Sequence, residues 1–250
     1  MRKAVTSRFD GGQVLEADFS GLEFRVAGDL SRDAQIIEDV LNGKDIHSQT
    51  ASIINQCDVS EVTKSIRQHA KQYSFSPLFG GQGANEPQHI QQYFKEFFNI
   101  YKGMARKHKE WMDGVLKDGI VRIPSGREYY FPDAKRLRNG RITNATAVVN
   151  YPVQGFATGD LVPLACIRAL RIFRERGLKS KLILTVHDSI VADVFPGELE
   201  AVSAALSEAM DLKDEIRSRF DYEFSLPLDI EIEAGPNWMD MDEVPLPSAA

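Results

Sequence analysis

Lys181 to Phe195, KLILTVHDSIVADVF, is the stretch from which the fold is read. Two β-branched runs, LILTV and IVADV, meet there at His187-Asp188-Ser189. Apolar runs flanking a tight polar break predict a hairpin, and a carboxylate at its tip faces solvent or a ligand instead of a core. Far upstream a second short apolar run, Val14-Leu15-Glu16-Ala17-Asp18-Phe19-Ser20, also delivers an aspartate at its end. A lone aspartate after a strand more often caps a turn. Two of them on separate strands suit a pair of magnesium ions, whose hard oxygen ligands and in-line phosphoryl-transfer chemistry need this kind of donor.

Composition sets the limits around that pair. At 250 residues and 43% hydrophobic content the chain can bury a large α/β domain with a subsidiary module. No apolar run approaches the roughly 20 residues that span a bilayer, and MRKAVTSRFDGG lacks the apolar segment of a secretory signal, so a cytoplasmic protein without a membrane partner is expected. Cys57 and Cys166 lack metal-ligand spacing and read as reduced thiols. The net charge of −6 argues against a polyanion partner until its distribution is seen. Lys64 to Lys181 holds 21 basic and 9 acidic residues, whereas the remainder holds 9 basic and 27 acidic. That asymmetry favours a polyanion site in the middle of the chain, although charge blocks are often only solvated surface.

The coarse pattern predicts a strand at Val14–Asp18, then helices through Leu22–Leu30, Ile36–Leu41 and Asp45–Ile54. Asp58 and Glu61 have capping-box spacing and predict the start of a helix running to Phe79, before the breakers Gly80-Gly81-Gln82-Gly83. Arg67, Lys71, Phe75 and Phe79 recur every four residues along it, a stripe cationic at one end and aromatic at the other. Phosphate at one end and a base or sugar at the other would use it fully; a half-buried helix with snorkelling cations would look the same. Glu86–Val115 reads as one long helix, Gly119–Phe131 as a hairpin, Lys135–Arg141 as a basic loop, and Thr143–Arg176 as a helix interrupted at Tyr151-Pro152 and Gly155–Gly159. Leu199–Phe220 is an amphipathic helix, Leu226–Glu233 a closing strand, and the acidic tail from Met239 to Ala250 is expected to fray.

Six segments in this order resemble family A DNA polymerases. Asp18-Phe19-Ser20-Gly21-Leu22-Glu23-Phe24-Arg25 resembles the first palm motif, DYSQIELR. Asp45-Ile46-His47 matches DIH, and RQHAKQYSFSPLFG from Arg67 resembles the fingers motif R-x3-K-x3-F-x3-Y-G. Tyr151-Pro152-Val153-Gln154-Gly155 and Val186-His187-Asp188 resemble the template-side and second palm motifs, and LPLDIEIEAGPNW the terminal strand.

The resemblance implies an antiparallel palm sheet with helices (1–47 and 146–250) and a mostly helical fingers module (48–145). It implies a DNA-directed DNA polymerase that adds dNTPs to a primer 3′-hydroxyl with two Mg²⁺ ions. Asp18, Asp188 and the carbonyl of Phe19 match metal ligands. Lys71 matches a general acid for the pyrophosphate leaving group, and Arg67, Lys71 and His47 the triphosphate-binding set. Glu23 matches the steric gate against a ribose 2′-hydroxyl, Phe75 a sugar contact and Phe79 the aromatic beside the templating base. Arg25, Asn150, Gln154 and His187 match residues that contact primer-template DNA. Fingers closure would bring the Arg67–Phe79 stripe over the nucleotide.

The departures are Phe79 for the usual Tyr, Gly21 for Gln, Ser189 for the Glu of HDE, and Thr146 where Arg is frequent. An extra residue also falls within Gln154–Asp160. With no room before the first palm motif for a thumb, the first palm strands or a 3′–5′ exonuclease, either an excised fragment or a split polymerase is expected; Met1 favours the split, and the compact size and the departures favour a phage. A separate chain would supply the thumb and an exonuclease, and a processivity factor would be a further partner. Two rivals stay open: an RNA-synthesising relative, against which Glu23 argues, and a non-catalytic DNA-binding subunit, which would have no need of paired metal carboxylates. A nuclease also uses two metals but has no need of a cationic-aromatic helix for a triphosphate.

Overall fold

The computed structural model describes residues 2–246 except Gln82 and Asn139. Gln82 of the glycine-rich break, Asn139 of the basic loop and the last four residues of the tail therefore lie outside the described residues. In chain order the strands are β1 (Gln13–Phe19), β2 (Ile120–Arg122), β3 (Glu128–Tyr130), β4 (Lys181–Val186), β5 (Ser189–Val194), β6 (Ile230–Gly235) and β7 (Asp242–Glu243). The helices are α1 (Leu22–Ser31), α2 (Ala34–Leu41), α3 (Ile46–Asn55), α4 (Lys64–Ser74), α5 (Gln88–Ile100), α6 (Lys102–Asp118), α7 (Ala145–Phe156), α8 (Val162–Glu175), α9 (Leu199–Met210) and α10 (Lys213–Phe220). No helix among the described residues is long and apolar enough to cross a membrane.

The chain packs as two compact units, one of residues 1–22, 157–224 and 228–250, the other of 23–156 and 225–227. The first is built on a five-stranded antiparallel sheet in the order β4-β5-β1-β6-β7. Strand alternation divides its two faces. Leu15, Ala17 and Phe19 of β1 pair across with Ala192 and Ile190 of β5 and with Ala234, Ile232 and Ile230 of β6, giving one apolar, buried face. Helices α8 and α9 pack against the sheet. The alternate residues put Glu16 and Asp18 on the other face, beside Ser189 of β5 and Glu231 and Glu233 of β6.

The hairpin forms as its pattern predicts, β4 pairing with β5 across His187-Asp188 with a bulge between Leu182 and Leu184. The tail differs from expectation: Asp242–Glu243 adds a strand to β6, and Trp238 donates its N–H to the Val5 carbonyl at 3.0 Å. Backbone pairing overrides its acidic, proline-containing composition. The amphipathic stretch Leu199–Phe220 is two helices, because Arg168 takes the carbonyls of Ala209 and Asp211 at the break between α9 and α10.

The second unit corrects two helices. Asp58 and Glu61 do form a capping box, but it caps only the three-residue turn Val59–Glu61. Extended Val62 then breaks the chain and Thr63 caps α4, its Oγ1 accepting the Ile66 N–H at 3.3 Å. Helix α4 stops at Ser74, short of Phe79, since Pro77 has no N–H and biases Ser76 away from helical backbone. The long stretch Glu86–Val115 is likewise two helices, broken at Tyr101 (φ −96°, ψ 69°). The cause lies upstream at Asp33. One of its oxygens accepts the N–H groups of Gln35 and Ile36 at 3.0 Å, capping α2, and the other accepts the Met104 N–H at 2.9 Å, capping α6. Gly103 permits this approach: a Cβ there would lie 2.6 Å from the Asp33 Cα. Pro152, by contrast, is accommodated inside α7, and the expected interruption falls at the π-helical turn Ala157–Leu161.

Candidate active site

Strand β1 and the β4–β5 turn place the two predicted aspartates together. His187 enters the left-handed region (φ 54°) to make a two-residue turn, and the Phe19 N–H donates to the Asp188 carbonyl at 3.3 Å. The side chains of Asp18 and Asp188 share a hydrogen bond. Although solvent reaches Asp18, loss of hydration is the largest cause that raises its carboxyl to about 7, followed by the charges of Asp188, Glu16 and Glu231. Asp188 is raised as well, first by burial, with His187 opposing. Two carboxyl groups this close share a proton when no cation balances them, so a divalent cation fits the donor set. Among the described residues no group of three or more His, Cys, Asp or Glu side chains is arranged as a metal cage. Magnesium does not require one, because it commonly takes one or two carboxylates and completes its shell with water and substrate phosphate.

Two neighbours of the pair were not singled out from sequence. Glu16 accepts from the Ser189 hydroxyl at 2.7 Å and from Trp238 Nε1 at 2.8 Å. Glu231 accepts from the Ser20 hydroxyl at 3.2 Å. Glu16 was visible as the residue two before Asp18 on the same strand face; Glu231 becomes adjacent only through the β1–β6 register.

Within the second unit, Arg67, His47 and Phe75 form one cluster. Arg67 grips Asp45, the cap of α3, with Nε at 2.5 Å from Oδ2 and Nη2 at 3.1 Å from Oδ1. Burial alone would raise the Asp45 carboxyl, but the bonds to Arg67 and Ser48 hold it well below the usual range. His47 Nδ1 lies 2.9 Å from the Ser74 hydroxyl and its ring 5.2 Å from that of Phe75, which in turn stacks on Phe24 at 5.8 Å. Burial, then the charge of Arg67, lowers the His47 pKa, with Asp45 opposing. Lys71 is exposed on α4 and makes no salt bridge with any described residue. Phe79 sits in the turn beyond the helix, its N–H on the Phe75 carbonyl at 3.2 Å. Glu23 is half-buried in the first turn of α1, and Arg25 donates to the Pro227 carbonyl at 2.8 Å. On α7, Asn150 Oδ1 is buried with no hydrogen-bond partner among the described residues, and Gln154 is exposed.

The model of DNA polymerase family A matches residues 1–240. The chain belongs to that family. DNA polymerase I of Caldicellulosiruptor bescii is 32% identical over 240 residues, covering 92% of this chain and 27% of that protein. The thermostable DNA polymerase I of Thermus filiformis is 31% identical over 248 residues, covering 96% and 28%. The POL domain of Pol1 from M. smegmatis, solved in complex with a DNA primer-template and dNTP, superposes with a TM-score of 0.79 at 27% identity, over 95% of this chain and 42% of that one. The chain thus spans a little over a quarter of the length of the curated relatives it matches.

Membership of family A gives the departures a structural setting. Gly21 adopts φ 64°, a conformation that side chains disfavour, and has open space around its Cβ position. A π-helical turn at Ala157–Leu161 overlaps the stretch Gln154–Asp160. Ser189, where the resemblance implies a Glu, is 3% exposed and lies directly across from Asp18.

Proposed function

We propose that this chain carries the nucleotidyl-transfer centre of a template-directed DNA polymerase, with residues 1–47 and 146–250 serving as palm and 48–145 as fingers. The observation that carries the reading is the hydrogen-bonded pair Asp18–Asp188, brought from 170 residues apart in sequence to β1 and the turn of the neighbouring β4–β5 hairpin. Asp18, Asp188 and the Phe19 carbonyl would hold two magnesium ions. When bound, these supply Lewis-acid activation of the primer 3′-hydroxyl and neutralise charge on the pyrophosphate.

The chain's own residues do the rest. Arg67, Lys71 and His47 hold the incoming triphosphate, Lys71 donating a proton to the departing pyrophosphate. The Asp45 fork presets the Arg67 guanidinium for this work. Phe75 contacts the sugar, Phe79 lies beside the templating base, and Glu23 excludes a 2′-hydroxyl, favouring dNTPs over rNTPs. Arg25, Asn150, Gln154 and His187 contact the primer-template.

Asp188→Ala tests the reading. Primer extension should fall at least about a thousandfold, as expected when electrostatic stabilisation of a transition state is lost, with DNA affinity little changed. Undiminished extension would sink the proposal.

A further inference from the structure

Ser189 stands where the family carries a glutamate, so the hairpin lacks a carboxylate beside Asp188. Its hydroxyl, on the face shared with Asp18, donates at 2.7 Å to Glu16 of the neighbouring strand. Glu16 lies two residues before Asp18, so strand alternation sets both on one face of the sheet. Its side chain is 12% exposed; the second oxygen accepts from Trp238 Nε1 at 2.8 Å, and Arg2 approaches no closer than 3.8 Å. The Arg2 guanidinium is half exposed and lies over the Trp238 ring at 4.4 Å, so it does not close a tight ion pair with the carboxylate.

We propose that Glu16 is a positioning residue that restores, from β1, the carboxylate absent at position 189, clamping the residue after Asp188 to the strand that bears Asp18. The inference rests on the reading of Asp18 and Asp188 as the ion-binding pair. A carboxylate moved to the adjacent strand keeps the negative charge of the face while letting serine occupy the buried position opposite Asp18. It also ties the two ligand-bearing backbones together through one hydrogen bond, so that the aspartates stay in register when an ion draws them in. Second-sphere partners of this kind orient ligands that they do not replace.

Mn²⁺ binding to the whole chain, followed by the electron paramagnetic resonance of the free ion, tests this without recourse to turnover. Glu16→Gln preserves the shape, keeps an oxygen to accept from Trp238 and turns the Ser189 bond round so that the amide donates and the hydroxyl accepts, but removes the charge, and should weaken Mn²⁺ binding about tenfold. Glu16→Ser should weaken it at least as much, and the exchange variant Glu16→Ser with Ser189→Glu should return to within about threefold of wild type. Unchanged Mn²⁺ affinity in Glu16→Gln, or an exchange variant no better than Glu16→Ser, overturns the proposal while Asp188→Ala still weakens binding. If Asp188→Ala also leaves Mn²⁺ binding untouched, the ion-pair reading itself falls.

Discussion

Loss of hydration, then the charges of Asp188, Glu16 and Glu231, push the Asp18 carboxyl up to about 7. In the unfolded chain the same group has a pKa near 3.8. Between these values the folded state holds a proton that the unfolded state has released, so ion-free protein loses stability as pH rises from about 4 to 7. Urea midpoints in EDTA should therefore fall over that window, and Asp18→Asn should flatten the fall; an identical slope in the variant would contradict the cause assigned here. Asn150 offers a second residue-scale test. Its Oδ1 has no partner to lose among the described residues, so Asn150→Ala should change stability by only about 0.5 kcal/mol or less, whereas a primer-template contact would appear as a raised KM for DNA. A large loss of stability would show instead that the amide is structural.

Helix boundaries decide what the second unit can present. Asp33 caps α2 and α6 at once while 1% exposed, so Asp33→Ala should cost about 2 kcal/mol or more in chemical denaturation, the sum of two lost caps. Gly103→Ala forces a Cβ against the Asp33 backbone and should cost about 1–3 kcal/mol by overpacking. A neutral result for both would mean that the break at Tyr101 has another cause. The capping box at Asp58 was legible because its two partners are three residues apart. Which helix it served was not, since the nearer cap Thr63 and the extended Val62 settle that locally. Likewise periodicity alone makes Glu86–Val115 one helix, because the Met104–Asp33 bond spans 71 residues.

Charge segregation belongs to the whole molecule. A chain with net charge −6 that concentrates 21 of its 30 basic residues between Lys64 and Lys181 should bind primer-template DNA with steep salt dependence. Anisotropy titrations between 50 and 200 mM salt should give a log–log slope of about −3 or steeper; a flat response would exclude phosphate contacts as the source of affinity. The sequence by itself determined the β4–β5 hairpin, the strand bearing Asp18, the Arg67–Lys71–Phe75 spacing and the family, because each depends on residues close together along the chain or on motif order. Only the tertiary structure decided that Asp18 faces Ser189 and Glu231, that Glu16 bonds across to Ser189, and that Arg67 is forked on Asp45. Those partners are set by strand register and helix packing between segments 22 to 213 residues apart, and a local pattern holds no record of which distant side chain a register will bring alongside.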